Sequence, residues 1–124
     1  MSKSARSIFF YSLYLVVLGL FLILVPNILL NLFRYPETSE VWIRVVGMLV
    51  ILLGFYFFHS AINDLRVFFQ ATVYARASVP VFFVSFVLLD FAEPVLILFG
   101  AIDGLSGLWT QLALWSEVKK KQLI

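Results

Sequence analysis

The chain has 124 residues, 63% of them hydrophobic and only 13% charged, with a mean hydropathy of +1.05. A soluble domain of this size cannot hide so much apolar surface, so lipid must be the solvent for most of the chain. No cysteine is present, which excludes disulfide exchange and thiolate metal or redox chemistry. The net charge of +2 sits in termini and loops and reads as membrane orientation, not as a nucleic-acid partner.

The first predicted span is 8–32, after a polar, basic start of sequence MSKSARS. It is too long for a signal-peptide core and no small-residue cleavage pattern follows, so it is expected to be retained. Pro26 should kink it, with Asn27 and Asn31 one turn apart at an interfacial helix end. A loop with Pro36 leads to the second span, 41–62, which Trp42 anchors at the membrane edge. Gly47 and Gly54 share a face and admit a close helix neighbour. The connector 63–77 has Leu65, Phe68, Phe69, Thr72 and Val73 at helical spacing. It reads as an interfacial amphipathic helix or as a continuation of the second span, with a break before Pro80.

The third span is predicted over 79–100, apolar except for Ser85, Asp90 and Glu93. Asp90 falls near its middle, Glu93 three residues on shares its face, and Pro94 follows. The last span is predicted over 101–118. Within it Asp103, Ser106 and Thr110 form a polar stripe beside a small-residue stripe of Gly100, Gly104 and Gly107 with Gln111. Lys119–Lys121 is a basic stop. The fold class is therefore all-α: one integral membrane domain, a four-helix bundle.

Lys3, Arg6, Arg66, Arg76 and Lys119–Lys121 fall on one side of such a bundle, Arg34 and Arg44 on the other. This bias places both termini in the cytoplasm. Arg44, Asp90, Glu93 and Asp103 are then expected to converge in the outer half, Arg44 pairing with Glu93 or Asp103, because an unpaired buried charge is costly. Such a cluster reads as a structural clamp, as a ligand or head-group site, or as a proton or ion relay. No catalytic residues can be named, since no nucleophile–base–orienter set can be assembled. His59 is the only histidine and lacks companions for a metal site. No cofactor is expected.

Trp42, Arg44 and Gly47 in the second span, with Phe99, Gly100, Asp103, Trp109 and Thr110 in the fourth, give a Trp-x-Arg-x-x-Gly and a Phe-Gly-x-x-Asp…Trp-Thr pattern. By these the chain resembles small uncharacterised four-span membrane proteins of bacteria, similar in architecture to the DoxX-like group. The resemblance implies a four-helix bundle in the bacterial cytoplasmic membrane, and some of that group are accessory subunits of membrane oxidoreductases. The leading functional expectation is a non-enzymatic accessory or packing subunit, partnered by the bilayer and by other membrane subunits or by copies of itself. The alternative is a binder or carrier of a small lipophilic or cationic ligand, or of protons, at the Arg44/Asp90/Glu93/Asp103 centre.

Overall fold

The computed structural model describes residues 1–122, with side chains through Lys119. These residues form five helices and no strand: α1 (Lys3–Leu24), α2 (Pro26–Leu32), α3 (Trp42–Ile62), α4 (Arg66–Leu88) and α5 (Leu96–Gln122). Four of them, α1, α3, α4 and the Leu96–Lys119 part of α5, are long and apolar enough to cross a membrane. At 1.5 Å per residue each exceeds the roughly 30 Å of a hydrocarbon core. Their outward faces carry rows of exposed Leu, Val, Phe and Trp, as lipid contact requires.

The expected first span divides in two. Val25 leaves the helical region at φ −139°, and Pro26 opens α2 at its first turn, where its missing N–H costs nothing. Asn27 Oδ1 accepts from the backbone N–H of Thr38, and Asn31 Nδ2 donates to Glu37, so the loop 33–41 is folded back on α2.

The larger difference concerns the third crossing. The structure has no helix over 79–100: α4 runs from Arg66 straight through Pro80 to Leu88, and the stretch 89–95 is a turn. The amphipathic stretch 63–77 is thus mostly the first half of the span rather than a separate helix. Pro80 deprives the Arg76 carbonyl of its usual donor but does not end the helix, which membrane helices tolerate when neighbours cover the gap. What ends α4 is Asp90, at φ 61°. Its N–H bonds the Val87 carbonyl, and Phe91 N–H bonds that of Phe86. This is the Schellman closure, in a residue type that enters the left-handed region more readily than most. Arg34 and Asp64, at φ 60° and 51°, close α2 and α3 by the same pattern. The last span, expected from 101, begins earlier: α5 opens at Leu96, and the run GAIDG at 100–104 lies inside it. The basic stop Lys119–Lys121 falls in the last turns of α5; the side chains of Lys120 and Lys121 lie outside the described residues.

The helices pack as two antiparallel pairs, α1 with α3 and α4 with α5, joined mainly through α1 and α5. The bundle has a terminal end, with the start of α1, the turn 63–65 and the end of α5, and a loop end, with 33–41 and 89–95. The apolar core of Ala5, Ile8, Ala61, Phe69, Val73 and Leu114 occupies the terminal half. Glycines set both pair contacts. A Cβ on Gly47 would lie 2.9 Å from the Gly19 carbonyl oxygen, and one on Gly19 would collide with Ile51. Gly54 faces Val16 and Ser12. In the second pair Gly100 and Gly104 face Pro80, and Gly107 faces the Arg76 Cβ.

Gly47→Ala is therefore expected to destabilise the α1–α3 pair by about 1–3 kcal/mol, the usual range for overpacking. Gly104→Ala, whose new methyl would meet only the Cγ of Pro80 at 3.0 Å, should cost less. Thermal unfolding of both variants in detergent checks the order.

A buried polar seam beneath an apolar cleft

A line of polar side chains runs from the terminal end toward the middle of the bundle along the faces shared by α1, α4 and α5. At its foot, Glu117 of α5 accepts from the Ser4 N–H and Ser4 Oγ, both at 2.8 Å, and from Arg66 Nη1 at 2.7 Å. Arg66 also reaches Asp64, which accepts from Ser2 Oγ at 2.8 Å. One acid thus fastens the first turns of α1 and α4, where unpaired N–H groups and the positive helix end favour a carboxylate.

Above it, Ser7 and Thr110 share a hydrogen bond of 2.7 Å, and Ser7 Oγ donates to the Ser4 carbonyl. Thr110 Oγ1 likewise reaches a carbonyl of its own helix, that of Ser106, at 3.3 Å, so either hydroxyl can be the donor between them. Thr110 in turn accepts from Arg76 Nη2 at 2.9 Å. Arg76 is 3% exposed and lies ten residues into α4, about 15 Å along the helix. Its remaining bonds go to Thr72 Oγ1, the Thr72 carbonyl and Ser106 Oγ. Its guanidinium carbon stands 4.7 Å from the centre of the Tyr11 ring, a cation–π distance. The Tyr11 hydroxyl donates to Asp103 Oδ1 at 2.8 Å. Tyr11 therefore bridges a buried cation and an acid that make no direct salt bridge. Among the described residues no buried side-chain polar atom lacks a partner.

Asp103 marks the top of the seam and the floor of a cleft of about 440 Å³. All five helices and the loop after α2 contribute to its wall, among them Leu18, Leu30, Val50, Phe83 and Phe99. The wall is apolar apart from the Tyr11, Tyr14 and Tyr35 hydroxyls and the Asp103 carboxyl. Among the described residues no donor meets Asp103 Oδ2. A guest with an apolar body and one cationic or hydrogen-bond-donating end would fit these surroundings, since such pockets combine hydrophobic walls with few placed polar groups.

The four charges expected to converge do not meet. Arg44 is exposed and donates from Nη1 to the Ile23 carbonyl, one of the last four of α1, where a cation suits the helix dipole. Asp90 and Glu93 sit in the turn 89–95, by a shallow hollow they share with Arg34 and Tyr35. Among the described residues the salt bridges are both made by Arg66, so Arg44 pairs with none of the three acids. Only Asp103 lies in the interior. Its partner Tyr11, and Arg76 over the Tyr11 ring, were not among the expected site residues; the span placed at 79–100 put Arg76 in a connector. The signal was the spacing Thr72–Arg76 within an apolar run beginning at Arg66. His59 is exposed and edges against Phe55, ring centres 4.4 Å apart. No group of three or more His, Asp or Glu among the described residues is placed to hold a metal ion.

Compared with protein-family models, with curated proteins and with solved structures, the chain finds no match.

Thr110→Val removes two interhelical hydrogen bonds, with Ser7 and with Arg76, and at about 0.6 kcal/mol for each such bond in a membrane should cost about 1 kcal/mol. Arg76→Met takes a buried cationic donor away from Thr72, Ser106 and Thr110 and removes the positive charge that Tyr11 bridges to Asp103, a loss of about 1–3 kcal/mol. The double change Arg76→Met, Asp103→Asn should recover part of it. Arg44→Met, at an exposed position, should cost about 1 kcal/mol or less. Unfolding of the four variants in detergent at neutral pH ranks them, and an Arg76→Met no worse than Arg44→Met would refute the seam as the centre of the fold.

Proposed function

We propose that this chain is a small integral membrane protein that holds a lipophilic molecule in the cleft above Asp103. The observation that carries the reading is the cleft itself, about 440 Å³ of apolar space ending on one carboxylate with an unmet oxygen. That volume falls in the range of small-molecule sites. An Asp held at membrane depth is costly unless it serves a purpose or a partner. The guest is an amphiphile of modest size whose cationic or hydrogen-bond-donating head meets Asp103 Oδ2 and whose body lies along Leu18, Val50 and Phe83.

We further propose that both termini face the cytoplasm. Lys3, Arg6, Arg66 and Lys119 belong to the terminal end, against Arg34 and Arg44 at the loop end, and basic residues favour the cytoplasmic side. The resemblance to four-span bacterial proteins makes the bacterial cytoplasmic membrane the proposed location. On this orientation the cleft lies in the outer half of the bilayer. A second reading, an accessory subunit or a homo-oligomer, is favoured by the slight contact between α3 and α4. That side of the bundle could be closed by another membrane helix.

Organic extraction of the protein purified in mild detergent, followed by mass spectrometry, should return a small amphiphile in stoichiometric amount. Val50→Trp fills the cleft and should abolish retention. Asp103→Asn should weaken it about tenfold or more, the worth of a charge-assisted hydrogen bond. An empty protein, or equal retention by Val50→Trp, would sink the proposal; a stable protein partner in its place would favour the subunit reading. A reporter joined after Ile124 should be active in the cytoplasm, and one within 33–41 outside.

A further inference from the structure

A second hollow, of about 380 Å³, lies at the terminal end on the outer side of the α1–α5 contact. It is lined by Lys3 and Arg6 of α1 and by Trp109, Leu112, Ala113 and Ser116 of α5. Lys3 and Arg6 are three apart and share a helix face. Both are exposed, and among the described residues neither joins a salt bridge. The acids at that end are already engaged, Glu117 by Arg66 and Ser4, Asp64 by Arg66 and Ser2. Two positive charges therefore stand at the rim of an exposed groove with no counter-charge among the described residues.

The groove is ordered along the helix axes. Lys3 and Ser116 lie at its mouth, Arg6 one turn deeper, and Trp109 deeper still, 46% exposed and stacked on Phe10 with ring centres 6.0 Å apart. From mouth to depth it runs cation and hydroxyl, then apolar and aromatic surface. A neighbouring hollow shares Leu112 and Ser116 and adds Trp115, Val118 and Lys119, so a second apolar track with a third cation runs alongside. Two apolar tracks below a cationic mouth match the two acyl chains and phosphate of a glycerophospholipid. The excess of positive charge selects an anionic head group over a zwitterionic one, whose own ammonium would be repelled.

We infer that this groove binds one anionic glycerophospholipid, its phosphate between Lys3, Arg6 and Ser116 and an acyl chain against Trp109 and Leu112. It is independent of the cleft above Asp103, which lies at the other end of the bundle.

The test uses the full chain with Trp42→Phe and Trp115→Phe, leaving Trp109 as the fluorophore, in phosphatidylcholine vesicles at low ionic strength. Part of the lipid is replaced by phosphatidylglycerol brominated on its acyl chains or, in the control, by phosphatidylcholine brominated likewise. Brominated phosphatidylglycerol should quench Trp109 more than the control at equal mole fraction. The preference should fall about fivefold for each basic group removed, in K3Q and R6Q singly and in the pair. Because both side chains are exposed, these variants should reconstitute, and the singles serve if the pair does not. K3R/R6K should keep the preference. Equal quenching by the two lipids, or a preference that K3Q and R6Q leave intact, would overturn the inference. So would loss of the preference in K3R/R6K, since positive charge would then not be what selects the lipid.

Discussion

The guanidinium of Arg76 is the constraint around which the bundle is arranged. Arginine stays charged in any protein environment, and its charge cannot be left bare about 15 Å into a membrane helix. The protein has to replace its water, and the replacement draws on three helices. Thr72 answers from α4 itself, Ser106 and Thr110 from α5, and the Tyr11 ring from α1. For α5 to come close enough, the residue opposite the Arg76 Cβ must be small, and it is Gly107, where a Cβ would sit 3.3 Å away. For α1 to complete the shell it must turn Ser4, Ser7 and Tyr11 inward. The α1–α5 contact that joins the two helix pairs is therefore a polar contact, and the apolar core of Ile8, Phe69 and Leu114 packs around it.

The two halves of the molecule have different physics as a result. The terminal half is packed and internally hydrogen-bonded, fastened at its foot by Glu117. In the loop half the helices line a cleft, and the chain between them is held by local devices: the Asn27 and Asn31 contacts on the loop, and the left-handed closures at Arg34 and Asp90. A cleft of this size forgoes dispersion contacts that a filled core would have made. In the proposed function a guest restores them, and Asp103, oriented by Tyr11 at the boundary between the halves, is where its polar end is read.

The proposed lipid groove at the terminal end complements this division. Charges that the interior needs, Arg76 and Asp103, are bridged within the bundle. Charges that the interior does not need, Lys3, Arg6 and Lys119, stand exposed at the rim. The same helix, α1, serves both: its Ser4, Ser7 and Tyr11 face the seam, while Lys3, Arg6 and Phe10 are exposed on the outer side.

Much of this was legible in the residues alone. Composition requires a lipid solvent, and the apolar runs with their short polar breaks require four helices of bilayer length. Stripes at helical spacing mark Gly47, Gly54, Gly104 and Gly107, and Asp103 with Ser106 and Thr110. These are properties of single helices, set by hydropathy and by the 3.6-residue period. Where the third helix stops was not legible, because Leu88-Leu89-Asp90 reads as apolar continuation with one buried acid. Only the backbone shows Asp90 in the left-handed region, closing α4. That shift of some ten residues moves Arg76 from a connector to the middle of a helix long and apolar enough to span a membrane, and puts Asp90 and Glu93 beyond its end. The partner of a buried charge is likewise decided between helices: Asp103 is met by Tyr11, and Arg44 by a carbonyl at the end of α1. Sequence spacing ranks the faces of one helix, but which faces meet depends on how close the glycines let the backbones come, and that belongs to the tertiary structure.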